Sequence, residues 1–408
     1  METSKSLEKL EIKPSQVLNF QGFDYTFTIP ESLLQKIWAQ QSFLQHNLCT
    51  FSEKKLTIVH PGHWNHQGGP DFLGAEVIID NQILKGDIEI HFYQNDWFYH
   101  NHHINPRFAN VILHVPLFPF KNLHPQPFTL NGFCPEVFIL FNHLYQGIED
   151  YSLENALLNF EKKDLINIFD AFLALPAQEK KATLFHKARI RWQQKLAFLH
   201  NRLQRHSYEE CCHQLCLEIL GLHKNRIPMA TISLEFPYKT WIQNAHKMNA
   251  LELFSTQKTS WKLSGIRPNN HPLKRLQQYI TLIQSNPNWA AHWINYIQKM
   301  PILEFIDHTS IFRKHFQLSS FVNYVQKTIF CNAISSTRLL TLCIDALLPL
   351  SSAYLKKDFF PLWYHFQAGD FPESIQTFLN KTEILTAKQP LCNGLVQAAL
   401  QLFFESKP

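Results

Sequence analysis

Near residue 150 the spacing of apolar residues in this 408-residue chain changes from a period of two to a period near three and a half. Before that point the apolar residues alternate or run in short blocks bounded by turn formers. LTIVH ends at Pro61-Gly62, and AEVIID and ILKGDIEIHF flank Asp80-Asn81-Gln82. NVILHVPLF ends at Pro119. These are strand signals. After it, ENALLNFEKKDLINIFDAFLAL and KKATLFHKARIRWQQKLAFLHNRLQRH place apolar residues at i, i+3, i+4 and i+7, the pattern of amphipathic helices. The helical pattern continues to Pro408, punctuated by prolines. The chain therefore reads as an α+β protein in three parts. Residues 1–30 form an arm or an edge strand, with Gln21 to Thr28 as one short strand. Residues 31–148 form a mixed α/β core with a β-hairpin in its sheet, opened by a helix over 31–46. Residues 149–408 form a mostly α-helical region.

Composition narrows the function classes. Hydrophobic residues make up 45% and aromatics 13%, enough for a packed core and too much for a disordered chain. The formal charge of +5 permits a DNA or RNA partner without requiring one. No run of 18 apolar residues is present, so no membrane partner is expected. METSKSLEKLEIKPS lacks an apolar signal core, and the eight cysteines contain no C-x-x-C pair. Both favour a cytoplasmic protein with reduced thiols.

Nine histidines fall between His60 and His124, and the same stretch carries Pro70-Asp71 before one strand and Glu89-Ile90-His91 at the end of the next. Asp71 and Glu89 on neighbouring strands would supply the hard oxygen ligands that Mg²⁺ or Mn²⁺ prefers. His91 beside them would be the catalytic group that moves a proton or positions water. A three-residue turn at Asp80, Asn81 and Gln82 would set Asp71 opposite His91, with Glu89 one step away on the same face. A two-residue turn would separate the two carboxylates. Asp96, His100, His102 and His103 also invite a zinc or iron site, although Asn101, Asn105 and Pro106 read as ordinary loop chemistry. His60 and His114 lie in apolar strands, where a hydrogen-bonded core histidine is the commoner outcome.

The P-D…E-x-H arrangement resembles the core of the PD-(D/E)xK nuclease superfamily, with His91 where that superfamily has Lys. HPGHWNHQGGPDFLGAEVII, GDIEIHFYQNDWFYHNH and NVILHV together resemble the bacterial domain-of-unknown-function 2851 family. IRPNNHPLKRLQQ, residues 266–278, is similar to a later segment of that family. The nuclease resemblance implies a metal-dependent phosphodiesterase acting on DNA or RNA. Arg189, Arg191 and Lys195 on a basic helix, with Arg267 before Pro268, would hold the phosphate backbone. The rival readings are a non-catalytic nucleic-acid-binding or scaffolding protein with a degenerate core, and a metalloenzyme that uses the histidines for a transition metal.

Overall fold

The structure, a computed structural model, describes residues 17–20, 23–26, 31–119, 126–145, 151, 170–369 and 371–405. At the N-terminus, β1 (Val17–Phe20) and β2 (Phe23–Thr26) pair as an antiparallel hairpin of their own. Most of the helix expected over 154–175 lies outside the described residues.

Helix α1 (Glu31–Ala39) buries Leu33, Leu34, Ile37 and Trp38 on one face. It stops well short of residue 46. Gln41 takes a left-handed φ of 49°, and Phe43 folds back to stack on Trp38 at 5.6 Å. The Trp38 indole donates to Pro61 O at 3.0 Å, tying the helix to the loop that precedes the site.

A six-stranded sheet follows: β3 (Leu56–His60), β4 (His63–Trp64), β5 (Phe72–Ile79), β6 (Gln82–Tyr93), β7 (Val111–Phe118) and β8 (Glu136–Val137). The main order is β3-β5-β6-β7-β8, with β4 pairing β5 from the side. The pairs up to β6 are antiparallel, whereas β6–β7 and β7–β8 are parallel. A parallel pair needs a crossover, and residues 94–110 supply it with the short helix α2 (Asp96–Tyr99) and two 3₁₀ turns. Every residue of β7 is buried, which explains its unbroken apolar run. Pro116 sits in this central strand without breaking it, because β8 pairs only Leu113 and His114.

The β5–β6 hairpin corrects the expected register. Ile79 pairs with Gln82, so the turn has two residues, Asp80 and Asn81, with φ of 45° and 71°. Positive φ at both positions is the turn that suits strand twist, and Asp-Asn tolerates it. A two-residue turn alone would put Asp71 and Glu89 on opposite faces. A bulge restores them. Ala75 pairs with Gly86 but Phe72 pairs with Ile88, so Leu73 and Gly74 together face Asp87. Gly74 has φ 66°, and its amide donates to Asp87 Oδ1 at 3.0 Å. Asp71 thus comes opposite Glu89, not His91.

Two apolar cores are present. One joins α1, the sheet and Tyr151; the other runs from Leu184 to Phe403 through the helical region. They touch where Phe198 of the long helix α3 (Ala177–Leu203) packs against both. The helical run Ser336–Leu355 has a mean hydropathy of 1.3 over its best window, but 67% of that window is buried inside the helical core. Its apolar character is accounted for by packing.

Two predictions follow from this packing. A Cβ on Gly86 would lie 2.5 Å from Asn110 O and 2.6 Å from Ile112 Cγ2, so Gly86→Ala must push β6 from the start of β7. It should cost about 1–3 kcal/mol in chemical denaturation; an unchanged midpoint would contradict the packing described.

In the helical core, burial pushes His213 down to about 3, and its nitrogens meet Tyr279 Oη at 2.7 Å and Phe236 O at 3.1 Å. Burial, and then Arg313, likewise brings His365 to about 3. The unfolded chain protonates these histidines near pH 6.5 while the native state does not. Stability should therefore fall as pH drops from about 6.5 toward 4, by up to about 1.4 kcal/mol per pH unit for each group. His213→Gln should flatten the acid limb by one group relative to wild type.

Candidate metal centre

Strand β6 carries Glu89 and His91 two residues apart, so both side chains leave the same face of the sheet, while Ile88 and Ile90 enter the core on the other. On β7, His114 stands directly beside Glu89 in the parallel register. The crossover then lays two more imidazoles over this face. Asp96 Oδ2 accepts the Tyr93 amide at 2.9 Å and fixes the start of α2. His100 ends that helix, and Asn101 turns the chain with φ 58°, so that His102 faces the same point. Trp97, fully enclosed, packs against His102 and His114 and donates to Phe128 O at 3.0 Å. Phe108 stacks on His102 with ring centres 3.8 Å apart.

The result is a convergence of ligand atoms. His91 Nε2 lies 3.1 Å from His100 Nδ1, 3.2 Å from His102 Nε2 and 3.3 Å from Glu89 Oε1. Glu89 Oε1 is also 3.3 Å from His102 Nε2. The three imidazole nitrogens all fall within 4.8 Å of one another. Four donors placed about 2.0–2.1 Å from a tetrahedral cation would be separated by about 3.3 Å. His91 and His102 are buried and His100 is exposed, so the group reaches solvent on the His100 side.

Asp71 stands next to this group and supports it. Its amide donates to Glu89 Oε2 at 3.0 Å. Its carboxylate accepts from the Ile90 amide at 2.9 Å through Oδ2 and from Gln35 Nε2 at 2.6 Å through Oδ1. Burial, followed by the charge of Glu89, pushes the Asp71 carboxyl up to about 8. Burial alone would also raise Glu89, but hydrogen bonds and charge from His102 and His91 outweigh it and hold that carboxyl below its usual range. Burial disfavours charge on His91 as well, yet Glu89 raises it. His114 has no such counterweight and is driven well below its ordinary value by burial.

The chain belongs to the DUF2851 family. The description of that family is a protein of unknown function, and it matches residues 31–257, more than half of the chain. The DUF2851 match includes the sheet, the crossover and every residue of the histidine cluster. It ends short of the 266–278 segment that resembles the family by eye. No curated protein and no solved structure matches the chain.

Of the expected residues, Glu89 and His91 meet in the cluster and Asp71 flanks it. His100 and His102 join them, which the H-N-H spacing had signalled. Gln35 and His114 carried no sequence signal for a place beside the site. Three basic residues of the long helix of this DUF2851 protein meet partners from the same chain. Arg191 is enclosed and donates to Gln397 at 3.1 Å. Lys195 pairs with Asp345 at 3.1 Å. Arg189 pairs with Asp358 at 2.9 Å and lies over the Phe360 ring. Arg267 is exposed, at the start of a 3₁₀ turn far along the helical region.

Proposed function

We propose that this protein is a metal-dependent hydrolase of phosphodiesters whose cation is a transition metal held by Glu89, His91, His100 and His102. The observation that carries the reading is the convergence on His91 Nε2. That nitrogen holds one proton or one lone pair, yet three polar atoms surround it within 3.3 Å. One proton satisfies one of them. A cation among the four satisfies all, because each donor then turns a lone pair inward. Nitrogen-rich sets with one carboxylate suit Zn²⁺, Fe²⁺ or Mn²⁺ better than Mg²⁺, which prefers oxygen and water.

The chain's own groups have distinct tasks in this reading. With Nε2 as ligand, His91 keeps its proton on Nδ1 and donates it to His114 Nε2, 2.9 Å away. His114 thereby fixes the tautomer and the ring plane, as partners of metal-bound imidazoles commonly do. Asp71 holds Glu89 through its amide, and Gln35 holds Asp71. A bound metal that keeps a position free beyond these four donors, on the side where His100 is exposed, would supply an activated water at neutral pH and polarise the phosphoryl oxygen.

The phosphodiester assignment rests on analogy of layout. The succession of a helix, antiparallel strands, a crossover and a parallel strand resembles that of the PD-(D/E)xK nucleases, with the short segment 94–110 in place of the helix expected between the last two strands. Pro70-Asp71 leads into one strand of the hairpin, and Glu89-Ile90-His91 lies on the other. The residue that departs from the motif is His91, and a histidine can ligate a transition metal where lysine does not. A second reading keeps Mg²⁺ or Mn²⁺ between Asp71 and Glu89, with His91 carrying the proton. The adjacency of the two carboxylates favours it, whereas the engagement of both Asp71 oxygens by Gln35 and Ile90 weighs against it.

Elemental analysis of untagged protein separates the two. The expected result is about one transition-metal ion per chain, lost in His102→Ala and retained in Asp71→Asn. Hydrolysis of bis(4-nitrophenyl) phosphate should fall with metal content. A metal-free wild type whose Mg²⁺-stimulated cleavage disappears in Asp71→Asn would move the assignment to the second reading. His114→Phe should weaken metal affinity roughly 10- to 100-fold, and His114→Asn, which restores an acceptor, should recover part of it.

A further inference from the structure

The surroundings of the cluster are rich in carboxylates. His91 feels the charge of Glu89, Glu31 and Asp96, and Asp71 lies beside them. An anionic substrate needs positive charge here in addition to the metal. Between Lys85 and Lys121 the sequence holds a single Lys or Arg, Arg107, and none occurs between Lys55 and Lys85.

Arg107 is the residue next to Phe108, whose ring lies on the ligand His102. Its backbone is set by Pro106 and by Asn105, whose Oδ1 accepts the Arg107 amide at 3.1 Å. The guanidinium crosses to the loop that leads into Asp71. A Cβ on Gly68 would lie 2.8 Å from Arg107 Nη1, so the guanidinium rests where any larger residue would put its side chain. That loop is closed on itself. Asn65 N donates to Asp71 O at 2.7 Å, Asn65 Nδ2 donates to Pro70 O at 2.9 Å, and Asn65 Oδ1 accepts the Gln67 amide at 3.0 Å. Among the described residues no carboxylate pairs with Arg107, and no acceptor takes the amides of Gly68 or Gly69. A guanidinium close to open backbone amides has the chemistry to take an oxyanion.

We propose that Arg107 and the 65–71 loop form an anion-binding arm at the rim of the metal centre, which binds the phosphate group of the substrate. This rests on the hydrolase reading above and names the residue that would give it its preference for anions. Gly69 has φ 119°, which favours glycine, and Arg107 lies against Gly68.

The test uses full-length, untagged, metal-replete protein and inorganic phosphate as the probe, with binding followed by calorimetry at fixed ionic strength. Arg107→Ala should weaken phosphate binding roughly 10- to 100-fold, the loss expected for charge-assisted hydrogen bonds. Arg107→Lys should recover part of it. Metal content should stay the same in both. A wild type that holds its metal yet binds phosphate no better than Arg107→Ala overturns the arm and leaves the metal centre standing. A wild type without metal whose phosphate binding still depends on Arg107 sinks the hydrolase reading and keeps the arm.

Discussion

Asp87 accepts the amide of Gly74 at 3.0 Å, and that hydrogen bond closes the bulge that sets Asp71 beside Glu89. Side chains on a strand alternate, so a slip of one residue sends each of them to the opposite face. The two-residue turn at Asp80-Asn81 imposes one register near the tip of the hairpin, and the extra residue at Leu73-Gly74 imposes another beyond it. Only the second brings Asp71 alongside Glu89. The bulged residue's amide would otherwise lack a partner, and Asp87 supplies one. The cost of the irregularity is met locally while its benefit appears at Asp71 and Glu89, further along the two strands.

The same sheet geometry decides which histidines can meet. Glu89, His91 and His114 share a face because two are spaced by two on β6 and the third sits in parallel register on β7. That face would be an ordinary half-buried surface if the crossover were a long helix. It is instead a short helix, a left-handed Asn101 and two 3₁₀ turns, which hold His100 and His102 close to the strand ends. Trp97 and Phe108 enclose the imidazoles on two sides, so His91 and His102 are removed from water. Burying several polar rings together is costly unless their nitrogens are engaged. His102 Nδ1 and His114 Nδ1 are enclosed without a hydrogen-bond partner among the described residues.

Much of this was legible in the residues. The mostly helical character of the chain beyond residue 170, the strands at 56–60 and 111–118, and the opening of α1 at Glu31 follow from spacing and turn formers alone. The reason is that each depends on local pattern. A three-residue turn would set Asp71 opposite His91, with Glu89 a step away on the same face; a shorter turn plus a bulge sets Asp71 opposite Glu89 instead. Two parity changes cancel, and neither leaves a mark in the alternation of apolar residues. His100 and His102 showed their chelating spacing, but the turn at Asn101 that aims them depends on packing against Trp97 and Phe108. Gln35 was invisible, being 36 positions from the carboxylate it holds. The partners of Arg189, Arg191 and Lys195 leave no mark in the sequence for a related reason. Helical spacing says which side chains share a face, and says nothing of which carboxylates other helices will bring to that face.

Where the long helix buries its charge bears on how the two cores divide their labour. Arg202 is enclosed with Glu218 and Gln214, and Arg191 with Gln397. Removing either partner would strand a buried charge, so these pairs fix the packing of the helices against one another. Arg205 reaches back to Asn142 O across the junction, and Phe198 belongs to both cores. The helical region thus braces the rear of the sheet, while the histidine face lies on the side that the 94–110 crossover covers. A cation at that face would sit among donors already aimed at one point before it arrives. The energetic cost of assembling three imidazoles and a carboxylate is then borne by the fold, through β6, β7 and the crossover, and not by the binding step itself.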